Sequence, residues 1–175
     1  MSERFAWTIH ESPLGPLTVS AGRGGLTGLH FPGRGPQLAE SEHRPDRLGA
    51  TTRELDEYFA GERREFGLEL DLHGTSFQRG VWRELLRIPY GTTVSYMELA
   101  DRVGRPDRLR AVAGAVGRTP VPIIVPCHRV VASDGALTGY GGGLQRKAAL
   151  LDLEHRAATG LAPEPAWAFR QTAML

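Results

Sequence analysis

The sequence has one cysteine, one lysine and no long apolar run. A single thiol excludes an internal disulfide and any zinc cage built from several cysteines. No stretch approaches the roughly 18 uncharged apolar residues that suggest a transmembrane helix. The first residues also lack the apolar core of a signal peptide. We therefore expect a cytoplasmic protein without a membrane segment.

Charge is distributed unevenly, although the net charge of the 175 residues is only +1. Residues 1–72 carry 8 basic and 12 acidic side chains, a net charge of −4, whereas residues 73–151 carry 11 and 5, a net charge of +6. Such a surplus favours binding of a polyanion, but many domains without one show as much. Lys147 is the only lysine among the 21 basic residues.

The first 73 residues have the pattern of a small strand-rich domain. Turn residues separate three short apolar or alternating runs, which predict an antiparallel meander at residues 4–9, 15–21 and 25–31. Further along, the pattern predicts in order a loop, a helix and an edge strand, at residues 32–47, 50–60 and 65–71.

From residue 74 onward the apolar residues recur at helical spacing. Thr75 or Ser76 can cap a first helix and Ser95 a second, and Pro106 opens a third. A short turn that contains Gly104 joins the second helix to the third, which is the pattern of a helix-turn-helix. The predicted fold class is α+β, with a small strand-rich N-terminal domain and a helical C-terminal domain that contains this motif.

The third predicted helix has two different faces. Its apolar residues are expected to pack inward: Leu109, Val112, Ala113 and Val116. Small and basic residues share the opposite side: Arg110, Ala111, Gly114, Gly117 and Arg118. Each glycine costs about 1 kcal/mol relative to alanine within a helix. Close approach of a bulky partner such as a nucleic-acid groove would explain them, and so would tight packing between helices.

The lone cysteine lies in residues 120–131, which read PVPIIVPCHRVV. A strand-like apolar run delivers Cys127 directly after a proline, and a place at a helix N-terminus would favour its thiolate. His128 could take the thiol proton directly or through a water. Arg129 adds positive charge or forms a structural ion pair, and Glu154 is the candidate carboxylate to orient the imidazole. These residues suggest a Cys–His–Glu nucleophilic site, although a lone cysteine is more often a small buried hydrophobe.

The same segment resembles the active-site signature of the O6-alkylguanine-DNA alkyltransferases, also called methylated-DNA–protein-cysteine methyltransferases. The resemblance covers about residues 75–155 and rests on a set of short motifs: Phe77-Gln78, Val94-Ser95-Tyr96, Arg110-Ala111-Val112, Pro126-Cys127-His128-Arg129-Val130, Gly139-Tyr140-Gly141-Gly142-Gly143-Leu144 and Glu154. It implies three regions: an RNase H-like α/β structural domain at 1–73, a DNA-binding and alkyl-transfer domain at 74–155 and a tail at 156–175.

The resemblance implies that the protein transfers an alkyl group from O6 of guanine in duplex DNA to Cys127, irreversibly and once. His128 would generate the thiolate through a water while Glu154 holds it. Tyr96 would protonate N3 of the leaving guanine. Arg110 would enter the base stack from the minor groove and fill the gap left by the extruded nucleotide.

Other matching positions imply supporting roles. DNA contacts are expected from the helix-turn-helix: Tyr96, Arg110, Ala111, Gly114 and Arg118. The substrate pocket is expected to involve Val130, Tyr140, Gly141 and Lys147, with the backbone carbonyls of Cys127 and Val130 accepting from the guanine amino group. Thr119 and Arg129 would support the loop that carries the cysteine.

Two residues depart from the family pattern. Thr119 stands where the family usually has an asparagine that buttresses the loop, so one amide donor–acceptor pair is lost. Gly141 stands where some relatives have serine, which would open the pocket to larger alkyl groups. Some relatives bind zinc through N-terminal cysteines, which this chain lacks. We expect no metal, no cofactor, and a monomer that binds double-stranded DNA.

Three alternative functions stay open from the sequence. A sensor on the same fold would bind alkylated DNA without transfer, although the presence of Cys127 speaks against it. A cysteine hydrolase could use the same three side chains on a small acyl substrate. A relative recruited to alkyl or nitroso transfer from small molecules would leave no trace in the residues.

Overall fold

The computed structural model describes residues 5–160, and the chain divides into two compact units between His73 and Gly74. Within these residues the first unit contains a three-stranded sheet and one α-helix. The second contains four α-helices and a two-stranded sheet. The predicted α+β class, with strands concentrated in the N-terminal part and helices in the C-terminal part, is confirmed.

The sheet of the first unit is an antiparallel meander of strands β1 (Ala6–Ser12), β2 (Gly15–Gly22) and β3 (Gly25–His30) in that order. Side chains alternate between its two faces because successive residues of a strand point in opposite directions. Leu17 and Val19 of β2 are fully buried. The predicted meander is confirmed.

Helix α1 (Gly49–Phe59) confirms the predicted helix and contacts β1. Leu55 and Tyr58 are three residues apart, so they lie on the same helix face, and both are fully buried. The preceding loop contains two short 3₁₀ turns, Glu40–Glu42 and Pro45–Leu48.

The predicted edge strand at residues 65–71 is wrong. Only Leu70 makes a bridge, a parallel one to Leu26, and the contact consists of two hydrogen bonds. Leu26 N donates to the Glu69 carbonyl at 2.9 Å, and Asp71 N donates to the Leu26 carbonyl at 2.8 Å. The segment therefore touches the sheet at one point without forming a ladder of its own.

The second unit begins with helix α2 (Ser76–Leu85), for which Thr75 is the N-cap. The Thr75 hydroxyl accepts from the backbone N–H of Gln78, and the Gln78 side chain accepts from the backbone N–H of Thr75. This reciprocal capping box satisfies two backbone donors that the first turn would otherwise leave free. Trp82 of α2 is buried and donates from Nε1 to the Ala115 carbonyl at 2.9 Å.

The helix-turn-helix consists of α3 (Tyr96–Arg102) and α4 (Leu109–Gly117). Ser95 caps α3 with a second capping box, as its sequence predicts. Gly104 makes the turn with a φ of +76°, a conformation that favours glycine. A 3₁₀ turn, Pro106–Arg108, then leads into α4.

The inward face of α4 differs from its prediction in part. Val112 and Val116 are buried as expected, and Ala115 joins them. Leu109 is 41% exposed, and Ala113 is only half-buried. Leu109 is the first residue of α4 and directly follows the exposed 3₁₀ turn Pro106–Arg108, so the buried part of the stripe begins one turn later, at Val112.

The parallel pair β4 (Val94–Ser95) and β5 (Val130–Val131) connects the start of α3 to the segment directly after the cysteine. Val94 pairs with Val130, and Ser95 pairs with Val131. The pairing therefore brings the N-terminus of the helix-turn-helix and the cysteine segment together.

Helix α5 (Leu144–Thr159) ends later than the expected tail boundary at residue 156. Arg156 pairs with Asp152 one turn earlier, at 3.1 Å, and Gly160 ends the helix with a φ of +70°. Residues 156–159 are thus helical, and the rest of the predicted tail from 161 lies outside the described residues. Within residues 5–160 no helix is both long and apolar enough to cross a membrane.

Gly25 offers a test of the first unit. Its φ is +128°, and a Cβ there would lie 2.4 Å from the Glu69 carbonyl oxygen. We expect Gly25→Ala to lower the free energy of unfolding by about 2–4 kcal/mol, because the backbone conformation and the steric contact both oppose a side chain. Urea denaturation measures the change. The control is Gly49→Ala, whose Cβ would meet no other atom within 4 Å; equal midpoints for the two variants would contradict the expectation.

Candidate active site

The residues that lead to Cys127 form tight turns and not the strand-like run that the sequence suggests. Val125 N donates to the Val121 carbonyl at 2.9 Å, and Cys127 N donates to the Val125 carbonyl at 2.7 Å. Ile123 has a φ of +75°, unusual for a β-branched residue. Such a conformation costs about 1–3 kcal/mol and persists only where surrounding structure fixes it. Here the segment is held by burial, since Ile123 is 1% exposed.

Cys127 opens a three-residue 3₁₀ turn, Cys127–Arg129, and is 4% exposed. Burial raises the pKa of its thiol to about 11, although a hydrogen bond from the Thr119 side chain and the charge of Lys147 oppose this. The expectation that a helix N-terminus favours the thiolate holds in direction, because the backbone N–H groups of Cys127 and His128 lower the thiol pKa, but in the unbound protein the net shift is upward. A turn of three residues carries little dipole, so desolvation outweighs it.

His128 and Arg129 both donate to the buried carboxylate of Glu154 on α5. His128 Nε2 lies 2.7 Å from Glu154 Oε1. Arg129 forms a two-pronged pair, with Nε 2.9 Å from Oε2 and Nη2 2.8 Å from Oε1. Burial alone would raise the pKa of Glu154, but His128 and Arg129 outweigh it and hold that pKa well below its usual range. The carboxylate is thus ionised and fixes both side chains.

His128 is fully buried, and burial lowers its pKa even though Glu154 acts in the opposite direction. Its Nδ1 is buried and makes no hydrogen bond to any described residue. If Nε2 carries the hydrogen that faces Glu154, Nδ1 presents a lone pair. The arrangement is therefore that of a neutral imidazole able to accept a proton on the side away from the carboxylate.

The other side of the site is built around Lys147 of α5 and Tyr96 of α3. Lys147 Nζ donates to the carbonyls of Val130, at 2.6 Å, and Thr138, at 2.9 Å. The Tyr96 hydroxyl donates to the same Thr138 carbonyl at 3.2 Å. Burial raises the pKa of Tyr96, and burial lowers the pKa of Lys147 to about 8. Thr138 was not anticipated from the sequence, because its carbonyl leaves no trace in residue type.

Tyr140 and Gly141 belong to the loop before α5. Burial raises the pKa of Tyr140 well above its ordinary value, and the charge of Cys127 acts in the same direction. The phenol is therefore near the sulfur. A Cβ on Gly141 would meet no other atom within 4 Å, so this position leaves open space where a side chain could stand.

Thr119 lies between α4 and the cysteine segment. Its hydroxyl donates to the Val116 carbonyl of α4 at 2.7 Å, and it lowers the pKa of Cys127 by hydrogen bonding to the sulfur. One hydroxyl carries one hydrogen and cannot donate to both acceptors at once. In the structure that hydrogen is donated to Val116, so Thr119 can donate to the sulfur only by giving up this bond, whereas an amide side chain has two hydrogens to donate.

The polar side of α4 faces away from the unit's core. Arg110, Ala111 and Arg118 are exposed, and Gly114 is half-buried. A Cβ on Gly117 would meet nothing within 4 Å, and one on Gly114 would approach only the flexible end of Arg118, at 3.4 Å. Packing within this unit therefore does not explain the two glycines.

Metal binding has no support in the described part of the chain. Between residues 5 and 160 there is no group of three histidine, cysteine or acidic side chains placed to hold a metal ion.

Three backbone groups that fix the site could not be recognised from the sequence. They are the Ile88 carbonyl, which accepts from Arg129 Nη1 at 2.6 Å, the Gly91 N–H, which donates to Glu154 at 3.3 Å, and the Thr138 carbonyl.

A buried cysteine beside a histidine–glutamate pair, together with a helix-turn-helix, defines a DNA-binding protein class with a nucleophilic thiol. Two family models match this chain, one for each of its two parts. Residues 76–156 match the DNA-binding domain of 6-O-methylguanine DNA methyltransferase, and residues 5–72 match its ribonuclease-like domain.

Individual relatives agree with this match. The methylated-DNA–protein-cysteine methyltransferase of Mycobacterium tuberculosis is 49% identical over 146 residues, covering 82% of this chain and 88% of the relative. That of Mycobacterium leprae is 47% identical over 161 residues, covering 86% and 93%. A crystal structure of Mycobacterium tuberculosis OGT in complex with DNA is 47% identical, with a TM-score of 0.80 and coverage of 91% and 95%. The chain belongs to the 6-O-methylguanine DNA methyltransferase family.

The Glu154 carboxylate offers a test of the site's framework. We expect Glu154→Gln to lower the free energy of unfolding by about 3–5 kcal/mol at neutral pH, because it leaves Arg129 buried without its partner. Since the folded-state pKa of Glu154 is depressed, its contribution is present above the ordinary value of 4.5 and is lost as pH falls below it. The variant's stability should therefore depend less on pH in acid.

Thermal and urea unfolding between acid and neutral pH measure both effects. The matched control is Asp152→Asn on the same helix, which removes an exposed pair with Arg156 and should cost less than about 1 kcal/mol. If the two variants lost similar stability, the buried pair would not be the framework described.

Proposed function

We propose that this protein repairs DNA by transferring the alkyl group of O6-alkylguanine irreversibly to Cys127. Membership of the family supports the reaction class. The observation that carries the assignment to this residue is the single thiol adjacent to His128, whose imidazole is bonded to Glu154 at 2.7 Å in a fully buried site.

In the proposed step, His128 accepts the thiol proton through a water, and the sulfur attacks the alkyl carbon. The new S–C bond forms as the C–O6 bond breaks, and the electron pair goes to the guanine. Tyr96 donates a proton to N3, so that neutral guanine leaves, which lowers the barrier. The resulting thioether has no leaving group that water displaces readily, so each molecule reacts once.

Burial makes the thiol a weak acid in the unbound protein, since its pKa is about 11. A base is therefore required at neutral pH, and His128 fits the role because its burial keeps the imidazole neutral. Glu154 then stabilises the imidazolium that forms on proton transfer. The same logic of nucleophile, base and orienting carboxylate operates in other thiol and hydroxyl nucleophiles.

DNA is the proposed partner of the helix-turn-helix, and we place the contact in the minor groove. Exposed Arg110 would fill the space left by the extruded nucleotide, since unstacking costs a few kcal/mol. Gly114 would let the backbone of α4 approach the groove, joined by Ala111, Arg118 and Tyr96. Transfer and DNA binding are assigned to residues 74–155 and a structural role to residues 1–73. We propose that the protein acts as a monomer in the cytoplasm.

Mass spectrometry tests the transfer directly. After incubation with a duplex that contains O6-methylguanine, we expect the protein to gain the mass of one methylene group, on the peptide that contains Cys127. Cys127→Ala should bind the same duplex and gain no mass. Binding by the wild-type protein without a mass change would favour the lesion sensor, and turnover of an activated ester without modification would favour the hydrolase.

Arg110 is tested by comparing duplex and free-base substrates. We expect Arg110→Ala to slow methyl transfer from the duplex by about tenfold or more. Without the arginine, nothing fills the gap in the base stack, so the free energy of unstacking, a few kcal/mol, is no longer offset. Reaction with free O6-benzylguanine requires no extrusion and should be unchanged. Arg87→Ala, which removes an exposed arginine of the same unit, is the control. Equal slowing of both substrates would assign Arg110 to the pocket and not to extrusion.

A further inference from the structure

Lys147 is a buried cation that the proposed transfer step does not use. Its side chain is fully buried, and its Nζ donates to the carbonyls of Val130, at 2.6 Å, and Thr138, at 2.9 Å. The Tyr96 ring lies on a further side, with its centroid 5.8 Å from Nζ. Two neutral carbonyl dipoles and an aromatic ring thus surround the ammonium.

This environment leaves the positive charge without a counter-ion. Among the described residues Lys147 forms no ion pair with a carboxylate, and the buried carboxylate of Glu154 pairs with His128 and Arg129 instead. A buried cation without an ionised partner is costly, and it attracts negative charge strongly where the surroundings are apolar. Two nearby groups become negative in the proposed step: Tyr96 when it gives its proton to the guanine, and the sulfur of Cys127, with which Lys147 interacts electrostatically.

The two carbonyls that Lys147 holds belong to opposite walls of the site. Val130 follows the cysteine turn in β5, and Thr138 precedes the loop that carries Tyr140. The Thr138 carbonyl also accepts from the Tyr96 hydroxyl, at 3.2 Å. One ammonium therefore connects the cysteine segment, the Tyr140 loop and α3.

We propose that Lys147 is a positioning residue for alkyl transfer, whose ammonium fastens the carbonyls of Val130 and Thr138 and stabilises the thiolate of Cys127 as it forms. This inference rests on the proposed function. It adds a second source of thiolate stabilisation that is separate from His128 and Glu154, because Lys147 contributes a fixed charge and accepts no proton from the thiol.

The pH dependence follows from the groups that face this cluster. Burial lowers the pKa of Lys147 to about 8, and the charge of Cys127 opposes that shift. His128 is neutral, Glu154 is neutralised by Arg129, and the pKa values of Tyr96 and Tyr140 are raised, so these groups keep their charge states near pH 8. The ammonium is therefore the charge lost as pH rises through 8.

The experiment measures single-turnover methyl transfer from an O6-methylguanine duplex between pH 6 and 10. For the wild-type protein we expect the rate to rise with pH and to level off near pH 8, because further thiol ionisation is offset by loss of the ammonium. Lys147→Met should be slower by about tenfold to a hundredfold at pH 7, as expected for removal of one nearby opposite charge. Its rate should continue to rise above pH 8.

Two further variants separate charge from structure. Lys147→Arg keeps the charge and should recover part of the rate, with the levelling moved to higher pH. Arg156→Met removes an exposed cation from the same helix and should behave as wild type. Thermal unfolding confirms that each variant is folded under the assay conditions.

A measurement on the unmodified protein needs no variant. Because Lys147 is the only lysine, protein labelled with ¹³C-lysine gives a single lysine side-chain signal, and its titration reports this group alone. We expect a midpoint near pH 8 in the absence of DNA. A midpoint at the ordinary lysine value of 10.5 would show a solvated ammonium and overturn the inference.

The outcomes distinguish the two proposals. If wild-type protein transfers no methyl group, the proposed function fails whatever the variants do. If it transfers and Lys147→Met matches it in rate and pH profile, the proposed function stands and the role of Lys147 fails. A slow Lys147→Met with an unchanged levelling near pH 8 would also overturn it, because the charge would then play no part.

Discussion

The buried carboxylate of Glu154 is the interaction on which the active site depends. It receives hydrogen bonds from His128 and Arg129, and from the backbone of Gly91. Two of these partners belong to the cysteine turn and the third to the loop after α2, so one carboxylate on α5 fixes both segments. Each of these charges would be costly alone inside the protein, and together they satisfy one another with good geometry. The position of the histidine is thus a product of an ion pair that also holds the fold.

The thiol of Cys127, in contrast, carries no charge in the unbound protein. It is kept neutral by burial, and a cysteine of this kind reacts slowly with oxidants and with chance electrophiles. A protein that reacts only once benefits from such restraint, because any side reaction consumes the molecule. In the proposed reaction, the groups that favour the anion, namely His128, Thr119 and Lys147, would act when a substrate has displaced water from the site.

Elements specified by local signals could be predicted from the sequence. The meander, α1 and the helix caps at Thr75 and Ser95 depend on residues a few positions apart, and they form as the pattern indicates. The outcome at residues 65–71 could not be predicted from the sequence, because a strand forms only where a partner strand continues the hydrogen-bond ladder. At the site, side chains such as Cys127 and Glu154 carry a signal in their identity. The Thr138 carbonyl does not, and its role emerges only when distant segments meet.

The interior position of the single lysine has a consequence for the outer surface. In the described part of the second unit, every lysine or arginine side chain that faces solvent is an arginine, whose planar guanidinium can bind a phosphate with two parallel hydrogen bonds. Guanidinium groups keep their charge through the alkaline range in which an exposed lysine begins to lose it. Contacts between these arginines and a nucleic-acid backbone would then persist at a pH at which the ammonium inside the protein has lost its charge, so docking and reaction respond to alkalinity separately.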